Sequence, residues 1–361
     1  MSSQESGAET LVVGGLDEPT GLEPDQGALD LAQPGDDHTQ ADWEKATATV
    51  LRKARRMTDE DADDLVWDKL TLTTLDGIAV TPLGTPDLLD DLDLAVRPTR
   101  SGAWDNRAHL GHGPAKAGNE DALVDLNGGV TSLWLSVGPD TDFHTLLDGV
   151  FLDLAPVVLD ATADPVATAQ AFLAFAGDLE LHPGTNLGVP APQATADIAA
   201  LAQERGILAF VVDGTSVHDR GASDAQELGW SMTAAADYLR ALTGAGVALE
   251  DAAGLVEFRY AVTDEQFPSI AKLRAARQLW ARVLELSGAA PVEQKQHAVT
   301  SKPMMSRYDP YVNMLRTTVA AFAAGVGGAD AVTVLPFDSP LGRPETLGRR
   351  IARNTSALLV S

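Results

Sequence analysis

"ILAFVVDGTSVHD" at residues 207–219, followed by "DAQELGWSMTAAADYLRALTGAG" at 224–246, decides the fold. The first run is short and rich in strand-forming residues; the second is long and has a helical pattern. The same alternation extends in both directions. Further β-rich runs are "GVTSLWLSVG" (129–138), "APVVLDA" (155–161), "DLELHPGTNLG" (178–188), "LVEFRYAV" (255–262), "KQHAVTSKP" (295–303) and "AVTVLPFD" (331–338), with helices such as "TADIAALAQERG" (195–206) between them. Strand and helix in regular alternation imply a parallel sheet with crossover helices.

The clearest helix is "PSIAKLRAARQLWARVLELSG" (268–288). It puts Ile270, Leu273, Ala276, Trp280, Val283 and Leu284 on one face and Gly288 just past its end, so Trp280 is expected in the core. Seven strand candidates result, where a closed eight-stranded α/β barrel needs eight. The last helix, "PETLGRRIARNTSALLVS" (344–361), occupies the place where an eighth strand is expected. The expectation is therefore an α/β, TIM-type (β/α)8 barrel that is incomplete, open between its first and seventh strands.

Before residue 129 the pattern is different. Residues 1–42 are rich in Gly, Asp, Glu, Gln and Pro and hold no sustained period, which reads as an acidic disordered arm. "DWEKATATVLRKARRM" (42–57) predicts a helix capped by Asp42, with Trp43, Ala46, Val50 and Leu51 on one face and Arg52, Lys53, Arg55 and Arg56 at its end. "DEDADDLVWDKLTLTTLDGIAVTPLG" (59–84) then reads as a helix and a short strand. The expected organisation is an arm (1–42), an N-terminal helical and extended segment that contacts a partner (43–128), and the barrel (129–361).

Composition excludes several functions. The 361 residues carry a net charge of −26, which repels nucleic acid and anionic bilayers. There is no cysteine, so disulfides, thiolate metal sites, iron–sulfur clusters and a Cys nucleophile are ruled out; this fits a cytoplasmic protein. No run reaches the roughly 18 apolar residues of a membrane span, and the N-terminus has no export signal.

No phosphate-binding P-loop, no G-x-G-x-x-G after a strand and no H-E-x-x-H occurs. His109 and His112 are three apart in "AHLGHGPAKAG" (108–118), but Gly and Pro make that stretch a loop and no carboxylate completes a metal site, so no metal is expected. In a parallel barrel the chemistry sits at the C-terminal strand ends, which singles out Asp160, His182, Asp213, Ser216, His218, Arg259, Lys302 and Asp338. Ser216 and His218 could suggest a nucleophile and base, but extended chain would point them to opposite sides, and there is no G-x-S-x-G elbow. His218 and Asp219 read instead as a pair that anchors a loop.

"RPTRSGAWDNRAHLG" (97–111), "VVDGTSVHDRGASDAQELGW" (211–230), "KLRAARQLWARV" (272–283) and "SRYDPYVNMLRTT" (306–318), followed by "GRRIARNT" (348–355), together resemble the adenosylcobalamin-dependent acyl-CoA mutases, and among them the small, or beta, subunits of heterodimeric methylmalonyl-CoA mutase. The resemblance runs from about residue 45 to 361. It implies a barrel that, in catalytic relatives, holds the CoA ester along its axis, and a C-terminal cobalamin domain that is missing here along with any D-x-H-x-x-G motif. It also implies that adenosylcobalamin sits on a large catalytic subunit, none being bound by this chain, and that the holoenzyme interconverts (R)-methylmalonyl-CoA and succinyl-CoA in propionate metabolism.

The resemblance further implies a site that has lost its chemistry. Catalytic relatives carry a tyrosine in an R-G-P-Y-x-T-M-Y stretch; matching forward from Arg97 puts Trp104 there, with an indole N–H and no hydroxyl. Where relatives carry S-G-Y-H this chain has Asp213, Gly214, Thr215 and Ser216, with His218 two positions out of register. "GTNLGVPAPQ" (184–193) offers no arginine for the substrate carboxylate, and "TSKPMMSRYDPYVNM" (300–314) puts Lys302 and Pro303 where relatives have Gly-Trp. No catalytic residue is expected, Trp104 and Ser216 being degenerate positions; Arg97, Arg107, Asp213, His218 and Lys302 stand as remnants of a substrate pocket. The competing readings are a self-sufficient barrel enzyme using Lys302, Asp213 or His218, and an assembly factor that binds acyl-CoA or cobalamin.

Overall fold

The structure is a computed structural model and describes residues 35–89, 102–111, 113–161 and 163–360. The chain divides into a small N-terminal unit, reaching residue 85 apart from 75–78, and a large unit that holds the rest.

The small unit is built on helix α1, Gln40–Lys53. Thr39 is its N-cap: the Thr39 hydroxyl accepts from the Asp42 N–H while the Asp42 carboxylate accepts from the Thr39 N–H. Asp42 is thus the reciprocal partner three residues in rather than the cap itself, and the helix starts inside the stretch read as an arm. Ala48 and Leu51 are buried with Met57 and Val66, and Trp43 packs on Trp67 at 4.6 Å between ring centroids. Val50 and Ala46, expected on that face, are exposed, because so small a core covers only a narrow stripe of the helix. Arg52, in the basic end, pairs with Asp63 at 2.8 Å. A two-residue antiparallel ladder, Leu72–Thr73 with Ala79–Val80, completes the unit.

The large unit is a closed barrel of eight parallel strands. In chain order they are β1 Asp105–Leu110, β2 Ser132–Val137, β3 Val157–Ala161, β4 Asn186–Pro190, β5 Leu208–Asp213, β6 Val256–Val262, β7 Lys295–Thr300 and β8 Ala331–Thr333. Each strand pairs with the next, and β8 pairs with β1 through Ala331 opposite Asp105 and Val332 opposite Asn106. The longer helices of this unit are α2 Ala115–Asn127, α3 Pro165–Ala176, α4 Ala196–Arg205, α5 Asp224–Gly244, α6 Gln266–Ser287, α7 Val312–Gly327 and α8 Thr346–Val360.

This corrects the expectation of seven strands and an open edge. The missing strand is the first, "DNRAHL", not one beyond the last helix, and the barrel begins at Asp105 instead of 129. Its sequence hid it: four of six residues are polar because the strand turns Arg107 into the barrel, and Gly111, Gly113 and Pro114 just after it read as loop. Helix α8 packs back beside β1, where Asn106 donates to the Arg353 carbonyl at 3.2 Å, and Arg349 and Arg353 both pair with Asp125 of α2. The fourth strand also starts later than its run suggests. Its Gly188, at φ +67°, lies so close to the Leu159 carbonyl that a Cβ would collide with it.

The main core lies between strands and helices, with Trp280, Tyr238, Phe172, Phe210 and Phe258 among its largest members. Helix α6 buries Ile270, Leu273, Ala276, Trp280 and Leu284, as its period predicts, and ends at Gly288 in the left-handed region. That periodicity fixes the outside of the barrel. The inside follows different rules.

Candidate functional site

Side chains from opposite walls meet on the barrel axis. Strands β2 and β6 are four places apart in a ring of eight, hence diametrically opposed. Yet the Arg259 guanidinium of β6 lies 4.2 Å from the ring centroid of Trp134 on β2. The imidazole of His297 on β7 meets the same indole edge-on at 5.3 Å, and His109 of β1 packs on it at 4.3 Å. Trp134 joins Val158, Val299 and Leu335 in an apolar cluster separate from the main core, with Met305 against it.

Nearer the N-terminal end, Arg107 of β1 reaches Glu257 of β6, with Nη1 3.0 Å from both carboxylate oxygens. Arg107 also donates to Asp105 and to the Ser132 hydroxyl. Burial works to lower the pKa of Arg107, but Glu257 and Asp105 outweigh it and hold the guanidinium charged. Burial, and then the charges of Arg107 and Arg259, push His297 well below the ordinary imidazole value. His297 is therefore neutral, and its 3.8 Å approach to Glu257 is a polar contact rather than an ion pair. Arg259 Nε donates to His297 Nδ1 at 3.3 Å, so the ring proton sits on Nε2 and goes to Thr333 Oγ1 at 2.7 Å.

At the C-terminal mouth, Asp213 accepts from Arg259 Nη1 at 3.0 Å and from both the N–H and the hydroxyl of Thr215. Ser216 Oγ donates to the Asp213 carbonyl at 2.7 Å, which ties it to a helical turn, Thr215–His218. His218 Nε2 shares a 2.7 Å hydrogen bond with Ser301 Oγ, and its Nδ1 faces Glu227 at 3.8 Å. Glu227 is fully buried and held by Lys272 at 2.7 Å and by the Ala261 N–H at 2.9 Å. Burial sets the pKa of His218 below its usual value, against the pull of Glu227. Beside this cluster, between the ends of β1, β7 and β8, lies a cavity of about 550 Å³.

Residues 193–361 match the sequence model of the family described as methylmalonyl-CoA mutase. The chain is 44% identical to the methylmalonyl-CoA mutase small subunit of Streptomyces virginiae, over 93% of this chain and 60% of that protein. The chain belongs to the methylmalonyl-CoA mutase family. To the methylmalonyl-CoA mutase small subunit of Propionibacterium freudenreichii subsp. shermanii it is 34% identical, over 92% of this chain and 57% of that one. The chain thus spans about 60% of the length of these curated relatives.

Of the positions taken from the mutase resemblance, Arg97 lies outside the described residues, as does His112. Arg107 is buried on the axis, and Asp213, Ser216 and His218 gather at the mouth, where each is engaged by its own neighbours. Trp104 does not join them. It immediately precedes β1, at the N-terminal end of the barrel, where its indole donates to Ser356 of α8 at 2.8 Å and its ring packs on Gly325 of α7. Lys302 is exposed and lies 3.4 Å from Asp219, whose charge also acts on His218, while the His218 ring is hydrogen-bonded to Ser301. Among the strand ends, Asp160 faces Arg259 at 3.9 Å and Asp338 accepts from the Glu345 N–H. His182 precedes its strand and turns on itself to accept from the Gly184 N–H.

Sequence reasoning missed Trp134, Glu257, His297 and Ser301. The first three sit inside strands, where a polar or bulky residue in an apolar run is the only signal that the position faces the axis. In "LVEFRYAV" the alternation of Glu257 and Arg259 with Phe258 and Tyr260 was that signal.

Among the described residues the histidines of the mouth are engaged by the protein's own side chains. His109 is packed on Trp134 and hydrogen-bonded to Ser136 at 3.0 Å, and His218 is taken by Ser301. Among the described residues no group of three His, Cys, Asp or Glu side chains could hold a metal ion. No helix among them is long and apolar enough to cross a membrane.

Proposed function

We propose that this chain is the non-catalytic small subunit of a heterodimeric methylmalonyl-CoA mutase. A large subunit carries the adenosylcobalamin and interconverts (R)-methylmalonyl-CoA and succinyl-CoA, in the cytoplasm and in propionate metabolism. The observation that carries this reading is the meeting of Arg259 and Trp134 from opposite walls of the barrel. An axis that must admit a CoA ester cannot also hold an indole, two guanidiniums and a buried imidazole.

The mouth supports the same reading. A group that polarises a carbonyl or gates a radical must be aimed at substrate, whereas Asp213, Ser216 and His218 are aimed at one another's neighbours. What remains is a stable barrel that braces a catalytic partner and helps exclude solvent from its radicals. The residues before Asp105 are assigned to contact with that partner; Leu72 and Val80 of the short ladder expose apolar surface there.

Mutase activity with adenosylcobalamin, measured for this chain alone, the large subunit alone and the two co-expressed, tests the proposal. Activity and co-elution only for the pair are expected. Turnover by this chain alone overturns it.

A further inference from the structure

The cavity between the ends of β1, β7 and β8 lies against the apolar cluster of the axis, and Lys302 is the position from the mutase resemblance that lines it among the described residues. Its floor is the top of the apolar plug, Leu335 and Met305, and its walls include Leu110, Pro336 and Pro340. Among the described residues three cations line it: Lys302 after β7, Arg343 in the loop after β8, and Arg349 in the first turns of α8. Asp121 of α2 opposes two of them, 3.3 Å from Arg343 and 3.2 Å from Arg349, and Asp219 lies 3.4 Å from Lys302. The other end of Arg349 is held by Asp125, outside the cavity.

In a chain of net charge −26 this corner gathers three cations, each beside a carboxylate. Arg349 is mostly buried and fixed by its two carboxylates; Arg343 and Lys302 have side chains 71% and 61% exposed and can swing toward a ligand. The volume suits a ligand of mononucleotide size. A rigid guanidinium fork together with an ammonium is the donor set that favours phosphate, and the loops after the seventh and eighth strands are a common place for it in such barrels.

We infer that this corner binds an organic phosphate, the phosphate held by Lys302 and Arg343 and the apolar body lying on Leu110, Leu335 and Met305. The binding test uses this chain alone, so the inference stands or falls apart from the proposed function.

Titration calorimetry of the 361-residue chain with adenosine 5′-monophosphate, inorganic phosphate and benzoate tests it. Saturable one-to-one binding of the nucleotide is expected, with inorganic phosphate and benzoate each weaker. Lys302→Ala with Arg343→Ala should weaken nucleotide binding by about tenfold or more. Ala117→Phe, which fills the cavity from α2, should abolish it, and Arg240→Ala, on the exposed face of α5, should leave it unchanged. No saturable nucleotide binding, or equal affinity in the double variant, overturns the inference. So does inorganic phosphate binding as tightly as the nucleotide, which removes the apolar half, or benzoate doing so, which removes the phosphate half.

Discussion

The axis of this barrel and the corner beside its mouth are a few ångströms apart and follow opposite rules. On the axis, large charged side chains are buried and each charge is answered: Arg107 by Glu257 and Asp105, Arg259 by Asp213 and the face of Trp134. In the corner each of the three cations also faces a carboxylate, but Lys302 and Arg343 reach solvent. His109 separates them, one face on Trp134 and an edge on the cavity. A buried, satisfied interior has nothing left with which to bind, whereas exposed cations can exchange a weak surface pair for a ligand. That is why the axis reads as structure and the corner as a site.

The same substitution in the two regions should separate them most widely. Arg107→Ala leaves Glu257 buried without its partner, and breaking such a pair costs about 3–5 kcal/mol. Arg343→Ala removes an exposed cation and should change stability by no more than about 0.5 kcal/mol. Urea unfolding of both variants measures the contrast. Similar midpoints would mean that water reaches the axis and that the plug is not closed.

Trp134→Ala would turn the axis into something more like the corner. Removing a buried indole should cost about 3 kcal/mol and leave a cavity between β2 and β6. Added indole should then restore thermal stability to the variant and do nothing for the parent chain. Failure of indole to rescue would show that Arg259 and His297 collapse into the space.

How much of this could be read beforehand depended on which side of the sheet a residue faces. Residues that face the helices obey hydrophobic periodicity, so α6 with Ile270, Leu273 and Trp280, and seven of eight strands, were legible. Residues that face the axis answer to partners across the barrel, in strands far apart in sequence: Arg107 and Glu257 are 150 positions apart. No local pattern carries such a pair, and β1, the strand richest in these residues, was read as loop. The site was legible only as a set of positions. Asp213, Ser216, His218 and Arg259 were found, but the pairing of Asp213 with Arg259 and of His218 with Ser301 and Glu227 needed the closed ring, and Trp104 proved to be packing at the other end.

That placement of Trp104 can be sharpened. A Cβ on Gly325 would collide with the Trp104 ring, so the glycine is what lets the indole lie between α7 and α8. Gly325→Ala should destabilise by about 2 kcal/mol through overpacking, even though alanine favours helix. Combined with Trp104→Leu, most of that loss should vanish, and a double-mutant cycle by urea unfolding measures the coupling. Additive losses would mean that the ring can leave its slot.

The smallest effect distinguishes the regions by pH. His297 is buried on the axis and its pKa is depressed by burial and by Arg107 and Arg259, whereas the unfolded chain titrates near 6.5. Above that value both states are neutral and His297 adds no pH dependence. Below it the unfolded chain takes up a proton that the folded chain refuses, so stability falls as pH falls, by at most about 1.4 kcal/mol per pH unit for this one group. His218, also depressed by burial, adds in the same direction. Unfolding free energies at pH 7.5 and 5.5 should therefore differ less for His297→Gln, which can still reach Thr333, than for the parent chain, while Arg343→Ala leaves the parent slope unchanged. Equal slopes for His297→Gln and the parent would mean that the imidazole can be protonated in place, with Glu257 accepting the charge, and that the axis tolerates a cation it otherwise excludes.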